Sequence, residues 1–354
     1  MFLALRELRF ARGRFALIAA VIALITLLIG LLSGLAAGLS AQSVSAVTSL
    51  PADQIAFSTP ANGKAPSFAQ SRLDEVSIAK LRDAPSVTSA SPIGVAQSSA
   101  SHGSQHFAIA AFGVVPGGPI APTGVAGNEV VISSGLADEG VKVGDQITIG
   151  TKTFTVAGTQ ADAWYNHTPV VYVDLVKWRE LPEAAGAAAT VVALSTSAND
   201  NRDALQRDTG TTLLSTSDAK AAIGSYSAEN GSLSLIRWLL LGISAVVVGA
   251  FFTVWTMQRK PDIAVLKAIG ASNTYIARDA AAQALVVLVV GGAIGMAVVA
   301  GLGVLLASVV PFVIDASTTL LPLGLLLAFG MIGALVAIRQ ISTVEPITAL
   351  GAAR

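Results

Sequence analysis

LSLIRWLLLGISAVVVGAFFTVWTM, residues 233–257, is followed almost at once by RKPDIAVLKAIGAS, residues 259–272. The first stretch exceeds the roughly 20 apolar residues that a helix needs to cross a hydrocarbon core. The second predicts a short amphipathic helix on a basic flank. Pro261 suits a first helical turn, Asp262 favours the positive end of the helix dipole, and Gly270 is a natural C-terminal stop. Ile263, Leu266 and Ile269 recur at about helical spacing, while Lys260 and Lys267 stay polar. A two-faced helix of this kind, set against a span, either docks a partner at the membrane surface or simply lies on lipid.

Working outward, three more apolar blocks appear, so that residues 15–40, 233–257, 275–308 and 319–338 read as four spans. Composition agrees: 53% hydrophobic, only 12% charged, mean hydropathy +0.67. The ends of the spans carry Arg6, Arg9, Arg12 and Arg14, then Arg259, Lys260, Lys267 and Arg278, then Arg339 and Arg354. The positive-inside rule puts all of these in the cytoplasm. Both termini (1–14 and 339–354) and the 258–274 connection are then inside, and residues 41–232 and a short 309–318 loop are outside. The zero net charge hides an asymmetry, because residues 41–232 hold 11 basic against 17 acidic side chains. An acidic outer part excludes a nucleic-acid partner and leaves the basic balance on the inner face. The first block has a basic start and small residues near Ser40 and Ala41, as a signal peptide does, but it is far longer than a signal core, so an uncleaved helix is expected.

Residues 41–232 predict an α+β domain. Segments 54–58, 87–97, 107–115, 129–133, 146–149, 154–157 and 169–173 are short and β-rich, separated by Gly, Pro and Ser clusters. Segments 71–84, 134–139, 199–209 and 217–225 read as helices. No cysteine is present, which removes disulfides, zinc–thiolate sites and thiol chemistry. The chain has no G-x-x-x-x-G-K-[ST] phosphate loop, no G-x-S-x-G and no H-E-x-x-H. An enzyme is not expected, and any ATP must be bound by another chain. The three histidines, His102, His106 and His167, all fall in the outer domain; no intrinsic metal site is expected. On the first span Gly30, Gly34 and Gly38 form a ridge of small residues every four positions, a packing face for a neighbouring helix or a second subunit.

Four pieces carry a resemblance: LRELRFARGRFAL (5–17), NEVVISSGLADEGVKVGDQITIGTKTFTVAGT (128–159), RKPDIAVLKAIGAS, and ISTVEPITAL (341–350). Together they resemble the MacB/FtsX-like permeases of ATP-binding cassette systems, most of all the haem exporter branch (HrtB- or DevC-like). The resemblance implies a cell-membrane homodimer working with two copies of a cytoplasmic ATPase subunit. Arg259, Lys260, Asp262, Ile263, Leu266, Lys267, Ile269 and Gly270 would form the coupling helix, with ISTVEPITAL flanking it. Closure of the ATPases would draw the first and second spans together and act on the outer domains or on a lateral cavity in the outer leaflet.

With haem as cargo, a site should offer an iron ligand, apolar walls and a cation for propionates. Tyr226 and Glu229 share a helical face at the outer end of the second span and are hard ligands suited to ferric iron. Arg237 and Trp238 follow, and Met296 is a distant axial candidate. The alternatives are an interfacial belt at the membrane edge and, for Met296, ordinary packing. Trp164, Tyr165 and His167 read either as a flap over a cavity or as a plain surface loop. Three functions fit: export of haem or a similar amphipathic molecule, export of an antibiotic, peptide or lipid, or FtsX-like transmission of force to a cell-wall hydrolase.

Overall fold

A computed structural model of the chain describes residues 12–60, 63–197, 202–306 and 309–339. Residues 1–11 and the ISTVEPITAL stretch lie outside the described residues. Helix α1 (Arg12–Thr48) leads to strand β1 (Gln54–Ser58), helix α2 (Glu75–Asp83) and the hairpin β2 (Val87–His102) to β3 (Gln105–Val114). Next come β4 (Glu129–Ser133), α3 (Ser134–Asp138), β5 (Gln146–Ile149) and β6 (Lys152–Gln160). A second hairpin, β7 (Trp164–Tyr165) to β8 (Thr168–Asp174), precedes α4 (Leu175–Trp178), β9 (Val191–Thr196), α5 (Arg202–Thr209), β10 (Thr211–Ser215) and α6 (Thr216–Ala219). Helices α7 (Gly224–Gln258), α8 (Lys260–Ala268), α9 (Asn273–Leu306) and α10 (Ala316–Ile338) follow. Two compact units result: a sheet unit, Leu39–Asn230, and a helical unit made of Met1–Gly38 with Gly231–Arg354.

In the helical unit α1, α7, α9 and α10 are each long and apolar enough to cross a membrane. Glycines set how closely they pack. A methyl at Gly291 would sit 2.8 Å from the Ala19 carbonyl oxygen, and one at Gly295 only 2.5 Å from that of Ala23, so α9 lies hard against α1. Gly330 receives Leu288, joining α10 to α9, and Gly333 meets the Ala245 carbonyl, joining α10 to α7. Such contacts let van der Waals attraction hold helices that gain nothing by hiding apolar surface from lipid. Near the start of α1 Phe15 meets Trp255 of α7 edge to face, centroids 4.8 Å apart. Thr26, Thr253 and Thr256 return their hydroxyls to carbonyls four residues back, which satisfies them without a partner helix.

In the sheet unit the strand order is β10-β1-β9-β2-β3-β8-β4-β6-β5, with β5 pairing back onto the end of β2 at Ala100↔Ile149. The second half of β2 therefore closes a six-stranded ring with β3, β8, β4, β6 and β5. Its first half extends an open sheet through β9, β1 and β10. β3–β8 and β4–β6 are parallel. Side chains alternate between two cores with the two-residue period of a strand. Ile109, Ala111, Ile132, Val171 and Val173 face one. Ala110, Phe112, Val131, Val170 and Tyr172 face the other. Trp178 of α4 is fully buried over Gly94 and Gly113, and a methyl at Gly113 would approach its Cβ to 2.5 Å. α2 and α5 cover the open sheet through Ile78, Leu81 and Leu205.

The chain is thus a membrane protein with four candidate spanning helices and an α+β unit inserted between the first and second. Several elements differ from the sequence reading. β7, β9 and β10 were not expected from it. The predicted 217–225 helix is broken: α6 ends at Ala219, a 3-10 turn occupies Lys220–Ala222, and α7 starts at Gly224.

Candidate functional site

Glu229 lies in the first turns of α7, within the sheet unit, and meets a partner 62 residues back in sequence. The β7–β8 connection is a two-residue hairpin, Asn166-His167, with φ of 51° and 63°. A type I′ turn demands positive φ at both positions, and Asn and His tolerate that region better than most residues. The turn aims the His167 imidazole at α7. Its Nε2 lies 3.0 and 3.1 Å from the two Glu229 carboxylate oxygens and 3.0 Å from Ser43 Oγ of α1. Both oxygen partners sit on the same ring nitrogen. A hydrolytic triad needs them on opposite nitrogens, so this is no nucleophile relay. The Glu229 and His167 side chains are 41% and 30% exposed, so a ligand can reach them.

Tyr226 packs partly buried against the core that holds Phe68, Phe112 and Tyr165. Tyr165 itself is 6% exposed, with Phe68 and Phe112 edge-on at 5.7 Å each. Burial raises its phenol well above the usual range, and burial also raises that of Tyr172. Neither can offer a phenolate at neutral pH.

Arg237, Trp238 and Met296 belong to the helical unit. Arg237 Nε is buried without a hydrogen-bond partner among the described residues. Trp238 is 54% exposed, its ring 6.0 Å from that of Phe329 on α10. Met296 is half-buried on α9.

α8 is a nine-residue helix with defined signals at both ends. Pro261 and Asp262 occupy its first turn. The Gly270 N–H donates to the Lys267 carbonyl and the Ala271 N–H to that of Leu266, with Gly270 at φ +99°, which is the glycine-terminated end of a Schellman motif. The arginine that precedes it, Arg259, lies over the Trp255 ring at 5.5 Å. Ile263 is buried and Leu266 partly so, whereas Asp262, Val265 and Ile269 are exposed. The stripe read from the sequence therefore splits: Ile263 and Leu266 face the helical unit, and Ile269 joins Val265 on the outside.

The Gly30/Gly34/Gly38 ridge meets this chain's own residues: Val299 at Gly30, Phe312 at Gly34 and the Pro311 carbonyl at Gly38. The 309–315 connection, not only a helix, fills it. Sequence reasoning missed His167 as the neighbour of Glu229, along with Ser43 and Asn166. The usable signal was Asn-His between two β-prone pairs, which marks a two-residue hairpin.

Comparison with known proteins gives these features a family. The MacB-like periplasmic core domain model matches residues 16–212 and the FtsX-like permease C-terminal model residues 234–346. A putative hemin transport system permease protein HrtB of Staphylococcus haemolyticus is 28% identical over 226 residues, covering 63% of this chain and 64% of that protein. A homologue of the same description from Staphylococcus epidermidis is 27% identical over 64% of each chain. The matched stretch thus spans 64%, less than two thirds, of the length of each of these relatives. An uncharacterized ABC transporter permease of Mycobacterium bovis is 23% identical over 99% of both chains. Among solved structures, the periplasmic region of MacB from Actinobacillus actinomycetemcomitans aligns with TM-score 0.36 at 12% identity, covering 52% of this chain and 97% of that one. Since the first model alone takes in more than half of the 354 residues and the second takes up the spans beyond it, the chain belongs to the MacB/FtsX-type family of ABC transporter permeases.

Proposed function

We propose that this permease exports haem, or an amphipathic molecule of similar chemistry, from the outer leaflet, using ATP hydrolysed by a partner subunit. The observation that carries the reading is the meeting of His167 and Glu229 at the start of α7. An imidazole nitrogen and a carboxylate, with Tyr226 one turn earlier, form a donor set suited to ferric iron. The naming of the staphylococcal relatives as hemin permeases supports the same cargo class. In this reading the chain works as a homodimer with two ATPase subunits, both termini are cytoplasmic, and the sheet unit is extracytoplasmic. Asp262, Val265 and Ile269 form the exposed face that docks the ATPase.

The test is a haem titration of the detergent-purified chain, following the Soret band in the parent and in Glu229→Ala, Tyr226→Ala and His167→Ala. The expected result is a saturable band that shifts or weakens in the Glu229 and His167 variants. A parent without a saturable band overturns haem as cargo and leaves a peptide, antibiotic or lipid. A band unchanged in all three variants keeps haem and removes this site. One feature favours force transmission instead: a groove of about 640 Å³ between α2 and α5, lined by Val76, Ala79, Pro85 and Leu205, which suits a protein partner. Retained partner activation without any small-molecule efflux would select that reading.

A further inference from the structure

The β7–β8 hairpin grips α1 and α7 by unlike means. Toward α1 the contacts are mainly main-chain. The Asn166 N–H donates to the Ser43 carbonyl and the His167 N–H to the Gln42 carbonyl, each at 2.9 Å. The Trp164 N–H donates to Ser45 Oγ at 2.9 Å. Toward α7 the contacts are between side chains: His167 to Glu229, and the Ser225 hydroxyl donating to Asn166 Oδ1. A further bond, from Asn166 Nδ2 to Gln97 Oε1 at 2.7 Å, ties the tip to β2. Two adjacent non-glycine residues at positive φ persist only where their surroundings hold them. The backbone bonds to α1 and the Gln97 bond supply that hold without α7.

We infer that this hairpin is a strap, anchored on α1 and latched on α7 by His167–Glu229 and Asn166–Ser225, and that the latch opens during the ATP cycle while the anchor stays. The side-chain contacts can break by rotamer change. The α1 contacts, being main-chain, break only if the hairpin backbone as a whole moves off α1. The inference rests on the ATP-driven reading of the permease but not on its cargo.

The chain has no cysteine, so Asn166→Cys with Ser225→Cys introduces the only two thiols of the permease. The permease–ATPase complex, in a preparation that hydrolyses ATP, is treated with a short bismaleimide, with and without ATP and vanadate. A second pair, Ser45→Cys with Trp164→Cys, reports the anchor and leaves both latch contacts in place. Cross-linking of the latch pair is expected to fall at least about fivefold with nucleotide, as a population shift between two states would give, while the anchor pair holds steady. Equal latch yields in both states overturn the strap, and so does parallel loss at both pairs. Hydrogen exchange of the unmodified complex gives the same comparison without substitutions: faster exchange over residues 225–230 with nucleotide, none over 164–168, is expected, and no change in 225–230 overturns the inference. No haem enters either experiment, so an absent Soret band leaves this result standing on its own.

Discussion

Gly38 shows how much one hydrogen atom in place of a methyl decides in the helical unit. A Cβ there would run into the Pro311 carbonyl, and one at Gly34 into the Phe312 ring. Gly242, in the middle of α7, has nothing within 4 Å of such an atom. Gly34→Leu and Gly38→Ala should therefore each lose stability by overpacking, about 1–3 kcal/mol, whereas Gly242→Ala should gain up to about 1 kcal/mol from helix propensity alone. Thermal unfolding in detergent compares the three, and equal effects at Gly38 and Gly242 would sink the packing argument. The four-residue spacing of the ridge was legible in the sequence. What fills it was not, because residues 309–315 form a connection without periodicity. Asp315 ends that connection as the N-cap of α10, in a capping box with Thr318. The Ser317 hydroxyl and then the Thr318 N–H hold its carboxyl below the usual value of 3.8. A depressed carboxyl stabilises the fold above its unfolded pKa and loses that contribution as pH falls through the folded one. Asp315→Ala should accordingly lower the melting temperature near neutrality, with the gap to the parent narrowing below pH 3.8.

At the scale of elements, α8 divides its apolar residues between two environments. Ile263, 3% exposed, closes the core under Trp255 and Ile276, while Ile269 is 76% exposed. Ile269→Asp and Val265→Asp should leave the permease folded yet abolish co-purification of the ATPase subunit, while Ile263→Asp should destabilise the permease itself by several kcal/mol through an unpaired buried carboxylate. A pull-down scored beside a melting curve separates these outcomes; retained ATPase with Ile269→Asp and Val265→Asp combined would move the docking face elsewhere. The helix was legible because Pro261, Asp262 and Gly270 are local signals. Its orientation depends on what surrounds it and was not. Strands follow the same division. β1, β4 and β5 could be read end to end, being short apolar runs between turn residues. β9 sits between β1 and β2 with Val191, Val192 and Leu194 fully buried, yet it directly follows the alanine-rich 184–189 segment that hides its start. β7 has two residues and exists only because the Asn166-His167 turn fits Gln42 and Ser43 of α1.

For the molecule as a whole, hydropathy was enough to separate spans from an inserted α+β unit, since each is a sum over many residues. Ring closure of β2 with β5 was not legible, because it joins strands through a short pairing that no local pattern marks. His167 and Glu229 were each visible but not as neighbours, for the same reason. The cores nevertheless respect the two units: every residue of the Phe57, Trp178 and Leu81 clusters falls in Leu39–Asn230, and the Phe252 cluster falls entirely in the helical unit. A unit of this size with its own cores can fold by itself. Residues 39–230 expressed alone should give a soluble protein with one cooperative unfolding transition. Gly113→Ala, which forces a methyl against Trp178, should cost that fragment about 1–3 kcal/mol, at about 2–4 °C in melting temperature per kcal/mol. In the full chain the same substitution should lower only the transition assigned to the sheet unit and leave the helical one in place. A single transition of the full chain that moves as a whole would show instead that the two units unfold together, and would make the sheet unit's stability inseparable from that of the spans.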